Sequence, residues 1–222
     1  MPFPIRKYAP KTPSPLTKPP RIATPVVAAF DFDGTLTWKD SFNAFLIFLR
    51  GPVGLGKAIL AKPGPFLGYL KTRDRGALKS RFLYNLLGDI HQTELEILIQ
   101  AFVSVTGRSL FRPDAMTTWD SLPDSDVKRV IVTASPELLV GPLGALIGAD
   151  RVIGTKLGFT ADGRLKPELE GINCRGEEKM CRLRAVFGDD FDLDQAYGDT
   201  AGDHAMIAAA RHGHYRVFKQ KP

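Results

Sequence analysis

Immediately after Pro25 the chain reads Val26-Val27-Ala28-Ala29-Phe30, five apolar residues in succession with no polar alternation. A short continuous apolar run is the pattern of a strand covered on both faces, as in a parallel sheet. It leads straight into an acidic loop, Asp31-Phe32-Asp33-Gly34-Thr35-Leu36-Thr37. From about residue 40 to 115 the period changes to a helical one, with Phe42, Phe45, Leu46 and Leu49 on one face and a second series from Leu78 through Leu87. Gly51, Gly54, Gly56, Pro63, Gly64 and Pro65 interrupt it, so the pattern predicts several helices forming a subdomain.

A second strand is predicted over Val127 to Val132, ending in Thr133. Ser135 suits the N-cap of the next helix, with Pro136 at its first position and Glu137 complementing the dipole, so that helix is expected to run from Leu138 to Ile147. Residues 152–160 and 165–170 flank Ala161-Asp162-Gly163-Arg164 and predict a hairpin. A helix over 176–187, a strand at 195–197, the loop Gly198 to Asp203, a helix to about Arg211 and a last strand over 215–218 complete the chain. Strands separated by helices imply right-handed parallel crossovers, with the ligand crevice at the carboxyl edge of the sheet.

The net charge of +6 is unevenly held. Residues 1–25 carry Arg6, Lys7, Lys11, Lys18 and Arg21 and no acid, which leaves 6 − 5 = +1 for the rest of the chain. This argues against a nucleic-acid-binding body. The same stretch holds eight of the seventeen prolines, the composition of an extended or disordered arm, attracted at most weakly to an anionic membrane surface. Cys174 and Cys181 form neither a disulfide framework nor a zinc cluster and are expected to be small buried residues in a reducing compartment. No run of about 18 apolar residues suggests a membrane span.

Three predicted strands end in polar clusters: Asp31 and Asp33, then Thr133, then Asp199 and Asp203. Parallel topology brings these to one sheet edge. Carboxylates gathered there repel one another, and a hard divalent cation, Mg²⁺, with oxygen-only ligands would relieve this. A calcium EF-hand loop starting at Asp31 would need glutamate at its twelfth position, where Phe42 stands. The helix expected after Thr133 offers backbone N–H groups to an anion, and Lys179 a full positive charge, unless it lies on a solvated helix face. Together these residues describe phosphoryl transfer.

In that order the residues resemble the haloacid dehalogenase superfamily. Asp31-Phe32-Asp33-Gly34-Thr35-Leu36 is similar to its first motif, Thr133 to the second, Lys179 to the third and Gly198-Asp199-Thr200-Ala201-Gly202-Asp203 to the fourth. The likeness covers about 25–218 and implies an α/β fold: a three-layer Rossmann-like core with a parallel sheet (25–40 and 116–222) and an inserted helical C1-type cap (41–115), with residues 1–24 as a basic arm outside it. It implies a phosphoserine-phosphatase-like branch. Thr133-Ala134-Ser135-Pro136-Glu137 and Cys174-Arg175-Gly176-Glu177-Glu178-Lys179 look like the bacterial phosphatidylglycerophosphatase C group. By that resemblance Asp31 is the nucleophile, Asp33 the general acid and base, and Thr133, with Ala134 beside it, and Lys179 bind the phosphoryl group. Asp31, Asp199 and the Asp33 carbonyl would hold Mg²⁺, with Asp203 orienting Lys179 or a metal-bound water from behind.

The resemblance implies that substrate choice lies in the cap. Asp40 stands where phosphoserine phosphatases place a glutamate for the substrate ammonium, and it equally suits the N-cap of the helix entered at Ser41. Arg81, with Arg73, Arg75 and Lys79, would attract an anionic substrate or form a solvated face. Residues 51–69 fit either an apolar lip resting on lipid or a packed helix pair. The expectation is a Mg²⁺-dependent phosphomonoesterase, cytoplasmic or peripheral to the inner membrane face, acting on a lipid head-group phosphate such as phosphatidylglycerophosphate. Its alternatives are a soluble phosphoserine or metabolite phosphatase and a regulatory binding protein that keeps the fold.

Overall fold

The computed structural model describes residues 24–61, 75–123 and 127–222. The N-terminal arm and residues 62–69 of the expected lip lie outside them.

The apolar run after Pro25 is β1 (Val26–Phe30), the inner strand of a six-stranded sheet. The helices α1 (Ser41–Ala61), α2 (Arg75–Leu87), α3 (Gln92–Thr106) and α4 (Pro113–Ser121) follow it. The rest of the chain is β2 (Val127–Pro136), α5 (Glu137–Ala145), β3 (Arg151–Phe159), β4 (Leu165–Glu170), α6 (Glu177–Phe187), β5 (Asp192–Gly198), α7 (His204–Ala209) and β6 (His212–Tyr215). The strand order is β4-β3-β2-β1-β5-β6; β4 pairs antiparallel with β3 at one edge, and all other pairings are parallel.

Successive residues of β1 face opposite layers, as the pleat requires. Ala28 and Phe30 join a core shared by α1–α5, whereas Val27 and Ala29 face Met180 and Leu183 of α6 and Met206 of α7. Both faces are covered, which is why the strand carries no polar residue. Phe30 stacks on Tyr197 at 4.3 Å and meets Trp119 of α4 edge-on at 5.0 Å. Helices from the segment between β1 and β2 thus share one continuous apolar cluster with the sheet.

Several boundaries differ from the sequence pattern. The terminal strand is 212–215, and α7 stops at Ala209. β2 continues through Thr133, Ala134 and Ser135 to Pro136, so Ser135 caps nothing and α5 starts at Glu137 without a side-chain cap. Thr155 Oγ1 donates to the Ala134 carbonyl at 2.9 Å, holding this extension against β3. Of the expected apolar helix face, Phe42, Phe45 and Leu46 are buried and Leu49 is half-buried, while Ile47 and Phe48, which lie off that face, are exposed. Cys174 is buried as expected, whereas Cys181 is exposed on the outer side of α6. Among the described residues no helix is long and apolar enough to cross a membrane.

Candidate active site

The carboxyl ends of β1, β2 and β5 are adjacent in the sheet, so their loops meet over one edge. The β1 loop is held tightly: the Asp31 amide donates to the Tyr197 carbonyl at 2.9 Å, and the Thr37 amide closes the loop onto Phe32 O at 3.0 Å. Gly34 turns the chain with φ +88°, and a side chain there would collide with the Asp199 carboxylate. Glycine therefore serves both the left-handed conformation and the approach of the β1 and β5 loops.

Lys179, from the first turn of α6, is only 1% exposed. Its Nζ donates to Asp31 Oδ1, Asp203 Oδ1 and the Val132 carbonyl, each at 2.6 Å. A solvated lysine on an amphipathic helix, the bland alternative, does not describe it. Burial alone would lower its pKa, but Asp31 and Asp203 outweigh that and hold the ammonium above its ordinary value. Burial likewise tends to raise Asp203, yet Lys179 and the bonds from Thr200 keep its carboxyl below the ordinary range. Asp203 Oδ2 accepts from the amides of Asp199 and Thr200 at 3.2 and 2.9 Å and from Thr200 Oγ1 at 2.9 Å. Both its oxygens are thus engaged, one on Lys179 and one on the loop that carries Asp199.

Asp31 behaves differently. Burial pushes its carboxyl up to about 7, with the opposing charge of Lys179 offsetting only part of the shift. Asp199 is raised by burial and by its neighbour Asp203. Carboxylate oxygens of Asp31, Asp199 and Asp203 lie within 4.8 Å of one another. Such a set of oxygen donors, destabilised by its own charge, suits a hard divalent cation.

Asp33 is raised first by burial and then by Asp40. Its Oδ1 accepts from the Ser41 amide at 2.6 Å, and its Oδ2 takes a short hydrogen bond from the Ser135 hydroxyl. Lys79 of α2 donates to Ser135 Oγ at 2.9 Å and to Asp40 Oδ2 at 3.0 Å, and stands 3.8 Å from Asp33. Asp40 also caps α1 through the Asn43 amide at 2.8 Å. Asp31, Asp33, Asp40, Lys79, Thr133, Ala134, Lys179 and Asp203 all border one cavity of about 130 Å³. Thr133 is buried there and its Oγ1 accepts from the Ser135 amide at 3.0 Å.

Arg81 is exposed and does not border the cavity. Lys79 does, because two residues along a helix turn the side chain by about 200°. It occupies the stripe that includes Phe82, Leu83 and Leu86, and a lysine on an otherwise buried stripe was the available signal. Ser135 lies in the irregular stretch of β2 where the pairing with β3 shifts between Val132 and Pro136, and there its hydroxyl reaches Asp33, which a helix N-cap at this position would not do.

The family model described as haloacid dehalogenase-like hydrolase matches residues 28–208. The chain is 45% identical over 198 residues to protein CicA of Caulobacter vibrioides, covering 89% of each. Its fold is similar to that of a Bordetella pertussis Tohama I protein of unknown function (22% identity, TM-score 0.69, 84% of this chain and 87% of that one). It is also similar to a substrate-bound phosphoserine phosphatase (19% identity, TM-score 0.53, 86% and 84%).

Proposed function

The chain belongs to the haloacid dehalogenase-like hydrolase family, and from that membership we propose that it is a phosphomonoesterase working through an aspartyl-phosphate on Asp31. The observation that carries the reading is the buried Lys179 bonded at once to Asp31 and Asp203 beside a polar cavity. A cation fixed in a site shielded from water stabilises charge developing on a transferring phosphoryl group.

In the first step a carboxylate oxygen of Asp31 attacks phosphorus. The bond from phosphorus to the ester oxygen breaks, and Asp33 gives that oxygen its proton. In the second step water attacks the same phosphorus, Asp33 takes back a proton, and inorganic phosphate leaves Asp31 free. The raised carboxyl of Asp33, pushed up first by burial, suits a group that must hold and return a proton. Thr133 and Lys179 would bind the phosphoryl oxygens, and Asp203 would keep Lys179 in place.

Mg²⁺ fits the carboxylate cluster, where Asp31, Asp199 and the Asp33 carbonyl would hold it; Asp203, with both oxygens engaged, suits the supporting role better. When bound, the cation supplies positive charge to the Asp31 carboxylate and the phosphoryl oxygens.

In this reading residues 41–115 act as a cap over the leaving group. The lipid head-group phosphate remains the substrate we favour from the motif likeness, with phosphatidylglycerophosphate as the example, and a cytoplasmic or peripheral location follows. Val53 and Leu60, exposed on the part of α1 that follows its kink at Gly51, fit a surface that meets lipid. The soluble phosphoserine alternative is weakened by Asp40, whose charge is already paired with Lys79 and which also caps α1 through the Asn43 amide.

The test is hydrolysis of an aryl phosphate. Activity should require Mg²⁺ and disappear in Asp31→Asn; undiminished turnover in that variant would remove the nucleophile assignment.

A further inference from the structure

Among the described residues three cations border the cavity, and two of them are already committed. Lys179 is shared by Asp31, Asp203 and a carbonyl, and Lys79 by Asp40 and Ser135. The third, Arg175, has no hydrogen bond or ion pair to its guanidinium among the described residues, yet it borders the same space as Asp31, Lys179 and Thr200. Its backbone amide donates to Asn173 O at 2.8 Å, and the next amide, that of Gly176, donates to Gly202 O, also at 2.8 Å.

The side chain lies flat on the β5 loop. A methyl group at residue 202 would stand 2.8 Å from Arg175 Cγ and Nη1 and 2.9 Å from Cζ. Gly202 is therefore the position that lets the arginine cross the loop and reach the cavity wall. A guanidinium lying along the loop backbone offers a planar fork of donors, suited to bidentate contact with a carboxylate or phosphate.

We propose that Arg175 is a specificity-determining residue: it binds a second anionic group carried by the leaving group of the phosphomonoester. This rests on the phosphatase reading above, in which Lys179 and Thr133 already serve the transferred phosphoryl group. It also predicts discrimination against cationic leaving groups. Of the carboxylates bordering the cavity, Asp31 and Asp203 hold Lys179, while Asp33 and Asp40 are bonded to Ser135, Ser41, Asn43 and Lys79. Each described carboxylate that borders the cavity thus already has a partner with which an incoming ammonium would have to compete.

The experiment compares four substrates on the full chain with Mg²⁺. They are phosphoglycolate, a glycerol-based phosphomonoester whose leaving group carries a phosphodiester, glycerol 2-phosphate and phosphoethanolamine. The wild type should favour both anion-bearing compounds over glycerol 2-phosphate, and that over phosphoethanolamine. Whichever anionic substrate is preferred identifies the second group as carboxylate or phosphodiester. In Arg175→Gln the kcat/KM ratio of anionic to neutral substrate should fall about tenfold or more, mainly through KM, as loss of a charge-assisted hydrogen bond implies. Arg175→Lys should keep part of the preference.

An unchanged ratio in Arg175→Gln, or a wild type with no preference for anionic leaving groups, overturns the assignment. Absence of turnover on every substrate would instead count against the phosphatase reading. In that case calorimetric binding of the same compounds to Asp31→Asn, with and without Arg175→Gln, measures the same ratio without chemistry.

Discussion

Replacing Asp31 by asparagine should stabilise the metal-free protein while abolishing its activity. Burial raises the Asp31 carboxyl from 3.8 to about 7, so the folded chain binds this proton more tightly than the unfolded chain does. Stability from this group is therefore complete below about pH 4, declines as pH rises toward 7, and stays reduced above. A rise from 3.8 to about 7 corresponds to about 4 kcal/mol, at roughly 1.36 kcal/mol for each tenfold change in proton affinity. Asparagine carries no such cost and retains an oxygen to accept from Lys179, which also keeps Asp203 and the Val132 carbonyl. The attraction of Lys179 is already contained in that rise; relaxation of the site around a charged Asp31 lowers the real cost, so about half of it, roughly 2 kcal/mol, is the expected net effect. For a chain of this size that is a rise of about 4–8 °C in Tm.

The assay is a thermal melt of both proteins at pH 5 and pH 8, with chelator and with millimolar Mg²⁺. The variant should melt higher at pH 8 in chelator, the gap should narrow at pH 5, and Mg²⁺ should raise the wild type more than the variant. A variant that melts below the wild type at pH 8 without metal, or a gap independent of pH, would refute the reasoning.

Two further outcomes follow from the same contacts. Lys179→Met leaves the buried Asp31 and Asp203 without their common cation and should destabilise the fold by about 3–5 kcal/mol, read as a lower urea midpoint with unchanged slope. Ser135→Ala removes the hydroxyl that orients Asp33 and should lower kcat about 10- to 100-fold with little change in KM, measured under saturating aryl phosphate; a loss confined to KM would place Ser135 among the substrate contacts instead.

Much of the architecture was written locally. The unbroken apolar run of β1, the helical period of α1 to α3 and the turn at Gly163 each reflect short-range patterns that the fold preserves, as does the Asp40 cap on α1. The adjacency of the Asp31, Thr133 and Asp199 loops was legible too, because parallel crossovers leave those strand ends few places to go.

What the sequence could not contain was the environment of each charged side chain. Lys179 meets Asp31 across 148 positions, and nothing within α6 distinguishes it from a solvated lysine until three acceptors close around it. Lys79 rather than Arg81 reaches the cavity because of where α2 docks, and Ser135 faces Asp33 because β3 carries β2 past its expected end. Arg175 owes its orientation to the missing side chain of Gly202 in a loop 27 positions away, 202 − 175, a contact no local pattern encodes. Hydrophobic periodicity fixes which faces are covered, through interactions between neighbours in the chain. Charge, pKa and reach depend on burial and partners from distant segments, and only the folded structure supplies those.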